Sequence, residues 1–177
     1  MLDAVEPIYN SLFETIQTAA GSDFSSFERG FWYKEDCTQN VDAFPYAFLD
    51  QPETTQVRGV GNPSEYGYDI DILLVVLTYK SEQSGLYFNQ TEEPQARGAV
   101  ELVHQVAQSV WNHYIFGLPF QATSRDWSVV EWTLGPMRRP RLTELDDYFK
   151  SPYIAGASVP FIFSIQERGP LPAIAGG

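Results

Sequence analysis

"YGYDIDILLVVLTY" (residues 66–79) decides the fold of this chain. Tyr66, Tyr68, Ile70, Ile72, Leu74 and Val76 fall on alternate positions and make one continuous apolar face. A period of two is the signature of a strand. The intervening positions change along the run, from Asp69 and Asp71 to Leu73, Val75 and Leu77. One face is therefore buried throughout, whereas the other is wet at the strand's start and covered at its end. Helices would provide that cover in a monomer, and a neighbouring subunit would provide it in a ring.

The flanking segments extend the pattern. Upstream, "FPYAFLDQPE" (residues 44–53) sets Phe44, Tyr46 and Phe48 in step as a second strand. Pro45 lacks an N–H, so this strand begins there or lies at an edge. Residues 50–63 read as a loop that reaches beyond the subunit. Within it "TTQVRGV" (residues 54–60) has some strand character, and Gly59, Gly61 and Pro63 mark a turn. Downstream, Ala96, Ala99, Val100, Val103, Val106, Ala107, Val110, Trp111 and Tyr114 form a helical stripe over residues 92–114. Thr91 is placed to cap it, and Glu92 and Glu93 suit the positive end of its dipole.

The first helix spans residues 2–20, with Leu2, Val5, Tyr9, Leu12, Phe13, Ile16 and Ala20 spaced by threes and fours and Gly21 at its end. Residues 21–43 read as an irregular insertion. Residues 126–134 form a late strand, and "GPMRRPR" (residues 135–141) a loop carrying the basic cluster Arg138, Arg139 and Arg141. "SVPFIFSIQ" (residues 158–166) is the last strand, with Pro160 arguing for an edge. Residues 1–167 thus make a single domain, and residues 168–177 a flexible C-terminal tail. The expected class is α+β: a mainly antiparallel sheet of four to five strands with two helices packed on one face.

Charge narrows the partners. Residues 1–100 hold 16 acidic and 5 basic residues, a balance of −11, and residues 101–177 hold 7 and 6, a balance of −1. A surface of this sign does not coat nucleic acid or anionic lipid. No apolar run is long enough for a membrane span, and the first residues carry no basic leader. The single Cys37 excludes an internal disulfide framework and a multi-cysteine metal site. Asn89-Gln90-Thr91 matches a glycosylation sequon by chance.

Chemistry-bearing residues are sparse. His104 and His113 are nine residues apart on one helix, half a turn out of phase, so a straight helix does not bring them to one ion. Cys37 has no activating base nearby in sequence. Asp69 and Asp71 stand on one face of a strand, where a carboxylate pair can hold divalent metal for phosphoryl transfer, as in a nucleotidyltransferase-like enzyme. That chemistry also needs a glycine-serine phosphate turn upstream, and "GVGNPSEYGY" (residues 59–68) lacks one. A solvated strand face is the preferred reading of the pair. No catalytic residue, metal or cofactor is assigned. Arg138, Arg139 and Arg141 are read as pairing with carboxylates of a neighbouring surface.

The order of these elements resembles the tail terminator (tail completion) proteins of long-tailed bacteriophages. The likeness is carried by the N-terminal amphipathic helix, the strand opening "FPYAFL", the long loop, "YDIDILLVVL", the helix near "EEPQARGAVELV" and the late strands "SVVEWTL" and "VPFIFSIQ". It covers most of residues 2–167. It implies a virion structural protein of the tail or neck, assembled from the host cytoplasm, that forms a hexameric ring. The ring would cap the tail tube protein and join it to the head-side connector or stopper, with DNA as passing cargo. Another neck, connector or tube component is a near alternative. On this reading Thr54, Gln56, Arg58, Asn62 and the three arginines meet neighbours, and Asp69 and Asp71 face a lumen.

Overall fold

The computed structural model describes residues 3–30, 44–55, 57–62, 64–79, 98–117, 126–138 and 154–169. Helix α1 spans Val5–Ala20 and helix α2 spans Ala99–Gly117. Among the described residues seven strands form one mixed, mostly antiparallel sheet: β1 (Ser26–Arg29), β2 (Tyr46–Leu49), β3 (Glu53–Thr54), β4 (Arg58–Gly59), β5 (Glu65–Tyr79), β6 (Trp127–Leu134) and β7 (Ile154–Arg168). The α+β class stands. The expected four to five strands become seven, because short edge pieces carry no hydrophobic period of their own.

The sheet is organised around one long ladder. β5 and β7 pair antiparallel over fifteen residues, from Glu65↔Arg168 to Tyr79↔Ile154. On one face Tyr68, Ile70, Ile72 and Leu74 meet Ile165, Phe163, Phe161 and Val159, all essentially buried. Ile8, Leu12 and Ile16 of α1, each four residues after the last, fill the same core. Leu102, Val103, Val106 and Val110 of α2 join them, and the two helices pack against each other.

Four expectations are corrected. Pro160 does not mark an edge, because β7 lies between β5 and β6. Its carbonyl accepts from Gly135 N–H at 2.9 Å, so its missing N–H points to the β6 side. There the β6 register slips by one residue between Leu134↔Phe161 and the bridge Arg138↔Ser158, which removes the need for a donor.

Residues 50–63 are not an excursion away from the sheet. Glu53↔Asp71, Thr54↔Ile70, Arg58↔Gly67 and Gly59↔Tyr66 continue the antiparallel pairing that β2 begins with Tyr46↔Leu77. Between β2 and β3, and again between β3 and β4, four residue steps on this edge oppose three on β5, so each break acts as a bulge. The run closes at Gly61, whose φ of 87° favours glycine, with Glu65 N–H bonded to Asn62 O at 3.0 Å.

The insertion at residues 21–43 is not irregular throughout. A short turn at Gly21–Asp23 leads into β1, which pairs parallel with β2. Phe27 of β1 stacks on Phe13 of α1 at 4.6 Å, which ties this edge to the helix layer. Likewise Gly135 to Arg138 is no free loop, since Arg138 and Ser158 exchange backbone hydrogen bonds at 2.9 and 2.7 Å.

Candidate functional site

The face of the sheet turned away from the helix core is the chemically distinctive part. Its β5 side chains are the odd-numbered ones, and their environment changes along the strand. Near the end of β5, Val75 and Leu77 are buried together with Phe48 and Tyr46 of β2. Towards its start, Asp69, Asp71 and Leu73 are half-buried. The wet start and covered end expected from the sequence are both present.

Three carboxylates follow one another on this face of β5, and they differ in their partners. Glu65 accepts from Gln166 Nε2 at 2.8 Å and meets Arg168 Nε at 3.4 Å. Asp69 accepts from Ser164 Oγ at 2.8 Å and meets Arg58 Nη2 at 3.4 Å. Asp71 has no cation among the described residues, and its cross-strand neighbour is the carboxylate of Glu53. Like charges set directly opposite on a sheet repel. Burial first, and the Glu53 charge second, hold the Asp71 carboxyl above the usual aspartate range.

Beside this pair lies a groove of about 360 Å³. Leu73, Pro160 and Ile162 give it an apolar floor, Asp50 and Glu53 one bank, and Pro136 and Arg138 the other. Arg138 is exposed and has no ion-pair partner among the described residues. Gly135 matters here: a Cβ at that position would stand 2.4 Å from Pro160 Cγ, so the strand approaches closely only without a side chain.

Other residues singled out from the sequence lie elsewhere. Thr54 and Arg58 sit exposed on β3 and β4, and Asn62 in the turn beyond. Asp69 and Asp71 do share one face, but the Asp69 oxygen is engaged by Arg58 and Ser164. His104 is exposed on α2. Cys37, Gln56, Arg139, Arg141, the helix start at residues 91–97 and the tail beyond Gly169 lie outside the described residues, as does the side chain of His113. Sequence reasoning held Asp50 and Glu53 only as part of the contact loop at residues 50–63 and missed Ser158 and Ile162; all four join the site through strand register. Alternation within a strand reveals a face but not which strand lies alongside.

A second polar feature is buried on the helix side. Glu167 accepts from the Tyr68 hydroxyl at 2.6 Å and from the Asp3 backbone N–H at 3.4 Å, and its charge also acts on the Tyr66 hydroxyl. It links β5, β7 and the chain just before α1. No helix among the described residues is long and apolar enough to cross a membrane, and no group of three or more His, Cys, Asp or Glu there is arranged to hold a metal ion. A scan against protein-family models matches none, and a search of curated proteins finds no match.

Proposed function

We propose that this chain is a structural subunit of a long-tailed bacteriophage virion. In this reading it is a tail terminator that forms a six-membered ring, caps the tail tube and joins it to the head-side connector or stopper. The observation that carries this reading is the groove face. An apolar floor of Leu73, Pro160 and Ile162, bracketed by charges of both signs that have no ion pair among the described residues, suits contact with another chain better than permanent contact with water. The order of elements described above supports the same reading. In the ring, the acidic surplus of residues 1–100 would keep passing DNA from adhering, because neutralised phosphates are what bind a duplex to protein.

Purified protein examined by sedimentation and negative-stain microscopy, with and without isolated tail tubes, tests the assignment. Six-membered rings seated on tube ends are expected. A monomer under both conditions overturns it.

A further inference from the structure

We infer that the groove binds an extended segment of another protein, in which a basic, an apolar and an acidic residue occupy every second position. This rests on reading the face as an assembly surface, and it names the chemistry of what that surface receives.

Charge excludes the other classes of occupant. Among the described residues, Asp50, Glu53 and Asp71 line the groove against Arg138, three carboxylates to one guanidinium, a balance of −2. None of the four has an ion-pair partner among the described residues. Nucleic acid phosphates are repelled from such a lining. A bare metal ion finds no cage, because no group of three or more His, Cys, Asp or Glu among the described residues is arranged to hold one. A basic side chain beside an apolar one suits the acids and the floor of Leu73, Pro160 and Ile162 together. It would also relieve the repulsion between Asp71 and Glu53.

Spacing selects the conformation. Asp71 and Leu73 stand two residues apart on one face of β5. Arg138 pairs with Ser158, which pairs with Val75, so it lies four residues along β5 from Asp71 and two strands across. At 3.4 Å per residue and 4.8 Å per strand that is about 14 Å along and about 10 Å across, or roughly 17 Å between the Cα atoms. An extended chain laid over the groove advances about 14 Å in four residues and turns alternate side chains to the floor. A basic residue at its first position meets Asp71 and Glu53, an apolar third residue rests on Leu73 and Pro160, and an acidic fifth residue meets the exposed Arg138. A helix advances only about 6 Å in four residues and does not span the two ends.

The receiving surface is already rigid. Asp71 is held between Glu53 on β3 and Ile162 on β7, and Arg138 exchanges backbone hydrogen bonds of 2.9 and 2.7 Å with Ser158. A preorganised groove loses little freedom on binding. Its volume of about 360 Å³ is at the small end for ligand pockets, so it takes a few side chains of a segment. One groove therefore binds weakly, and several copies meeting one partner together bind firmly.

The test titrates the full chain into a labelled peptide, Gly-Lys-Thr-Leu-Thr-Glu-Gly, followed by fluorescence anisotropy at low and high salt. Saturable binding is expected, weaker as salt rises. Serine in place of the peptide's leucine, or Arg138→Glu in the protein, is expected to weaken binding at least about fivefold. Arg138→Glu is expected to prefer the peptide with lysine at both charged positions, and this reversal excludes misfolding. Arg168→Glu changes the net charge equally but lies outside the groove, so it is expected to bind the first peptide as the native chain does. No saturable binding, no reversal of preference, or equal weakening by Arg168→Glu overturns the inference. Rings on tail tubes separate it from the reading beneath it. If the peptide fails to bind but Arg138→Glu loses rings that the native chain forms, the inference falls and the assembly surface stands. If the peptide binds but the native chain forms no rings, the inference stands and the tail terminator reading falls.

Discussion

The hydroxyl of Tyr68 donates a 2.6 Å hydrogen bond to Glu167, 99 residues further along the chain, and both side chains are buried. The contact joins the start of β5 to the end of β7. Removing one partner of a buried, charged hydrogen bond leaves the other short of a donor. Tyr68→Phe is therefore expected to lower unfolding free energy by about 1–3 kcal/mol in urea titrations, with an unchanged m-value.

The same phenols set an alkaline limit. Burial, and then the Glu167 carboxylate, hold Tyr66 and Tyr68 neutral well above the ordinary tyrosine range. The folded state thus keeps protons that the unfolded chain releases near pH 10. Stability is fully present below that pH and falls as pH rises beyond it. Denaturant midpoints measured on either side of pH 10 should show the fall, and Tyr68→Phe should flatten it.

Asp71 works in the acid range. Its raised carboxyl favours the protonated form in the folded state, so its contribution is present below the ordinary aspartate pKa and is lost as pH rises through the folded value. Replacing it with a neutral isostere removes the repulsion from Glu53. Asp71→Asn is expected to stabilise the isolated chain at pH 7 by about 0.5 kcal/mol and to reduce the pH slope in mildly acid buffer. A loss of stability would contradict the unpaired geometry.

Packing predicts a contrast between two nearby positions. Phe163 is fully buried and its ring lies 6.2 Å from that of Trp132, whereas Val130 sits 66% exposed where the β6 register slips. Phe163→Ala should cost about 3–5 kcal/mol through lost burial and the cavity left behind. Val130→Ser should stay within about 0.5 kcal/mol of the native chain. Thermal unfolding of the two variants side by side checks both.

Much of the core could be read from residue spacing. Tyr68, Ile70, Ile72 and Leu74 alternate, and Ile8, Leu12 and Ile16 recur every fourth residue, so strand and helix each announce their buried side. The late strand was legible in the same way, but not its slip at Val130. That slip moves the helix-side residues from Trp127 and Val129 to Trp132 and Leu134. The groove was the least legible part. Glu53 and Asp71 are 18 positions apart and Arg138 is 67 positions beyond Asp71, and only the pairing of β3, β5 and β7 with the bridge at Arg138 gathers them. Pro160 misled because a proline's tolerance depends on what its neighbour does, and the neighbouring irregularity leaves no local mark.

The β5–β7 ladder also dictates a timetable for synthesis. β5 is complete at Tyr79, but its long partner does not begin until Ile154. A growing chain must therefore add about 75 residues while this long, largely apolar strand has one edge bare. Exposed edges of this kind recruit other strands, and pairings across such distances in sequence form slowly. The yield of native protein is thus governed by how quickly the ribosome delivers the last strand relative to encounters between unfinished chains. Slower elongation or crowded expression should divert material to aggregates before any mature contact is at stake.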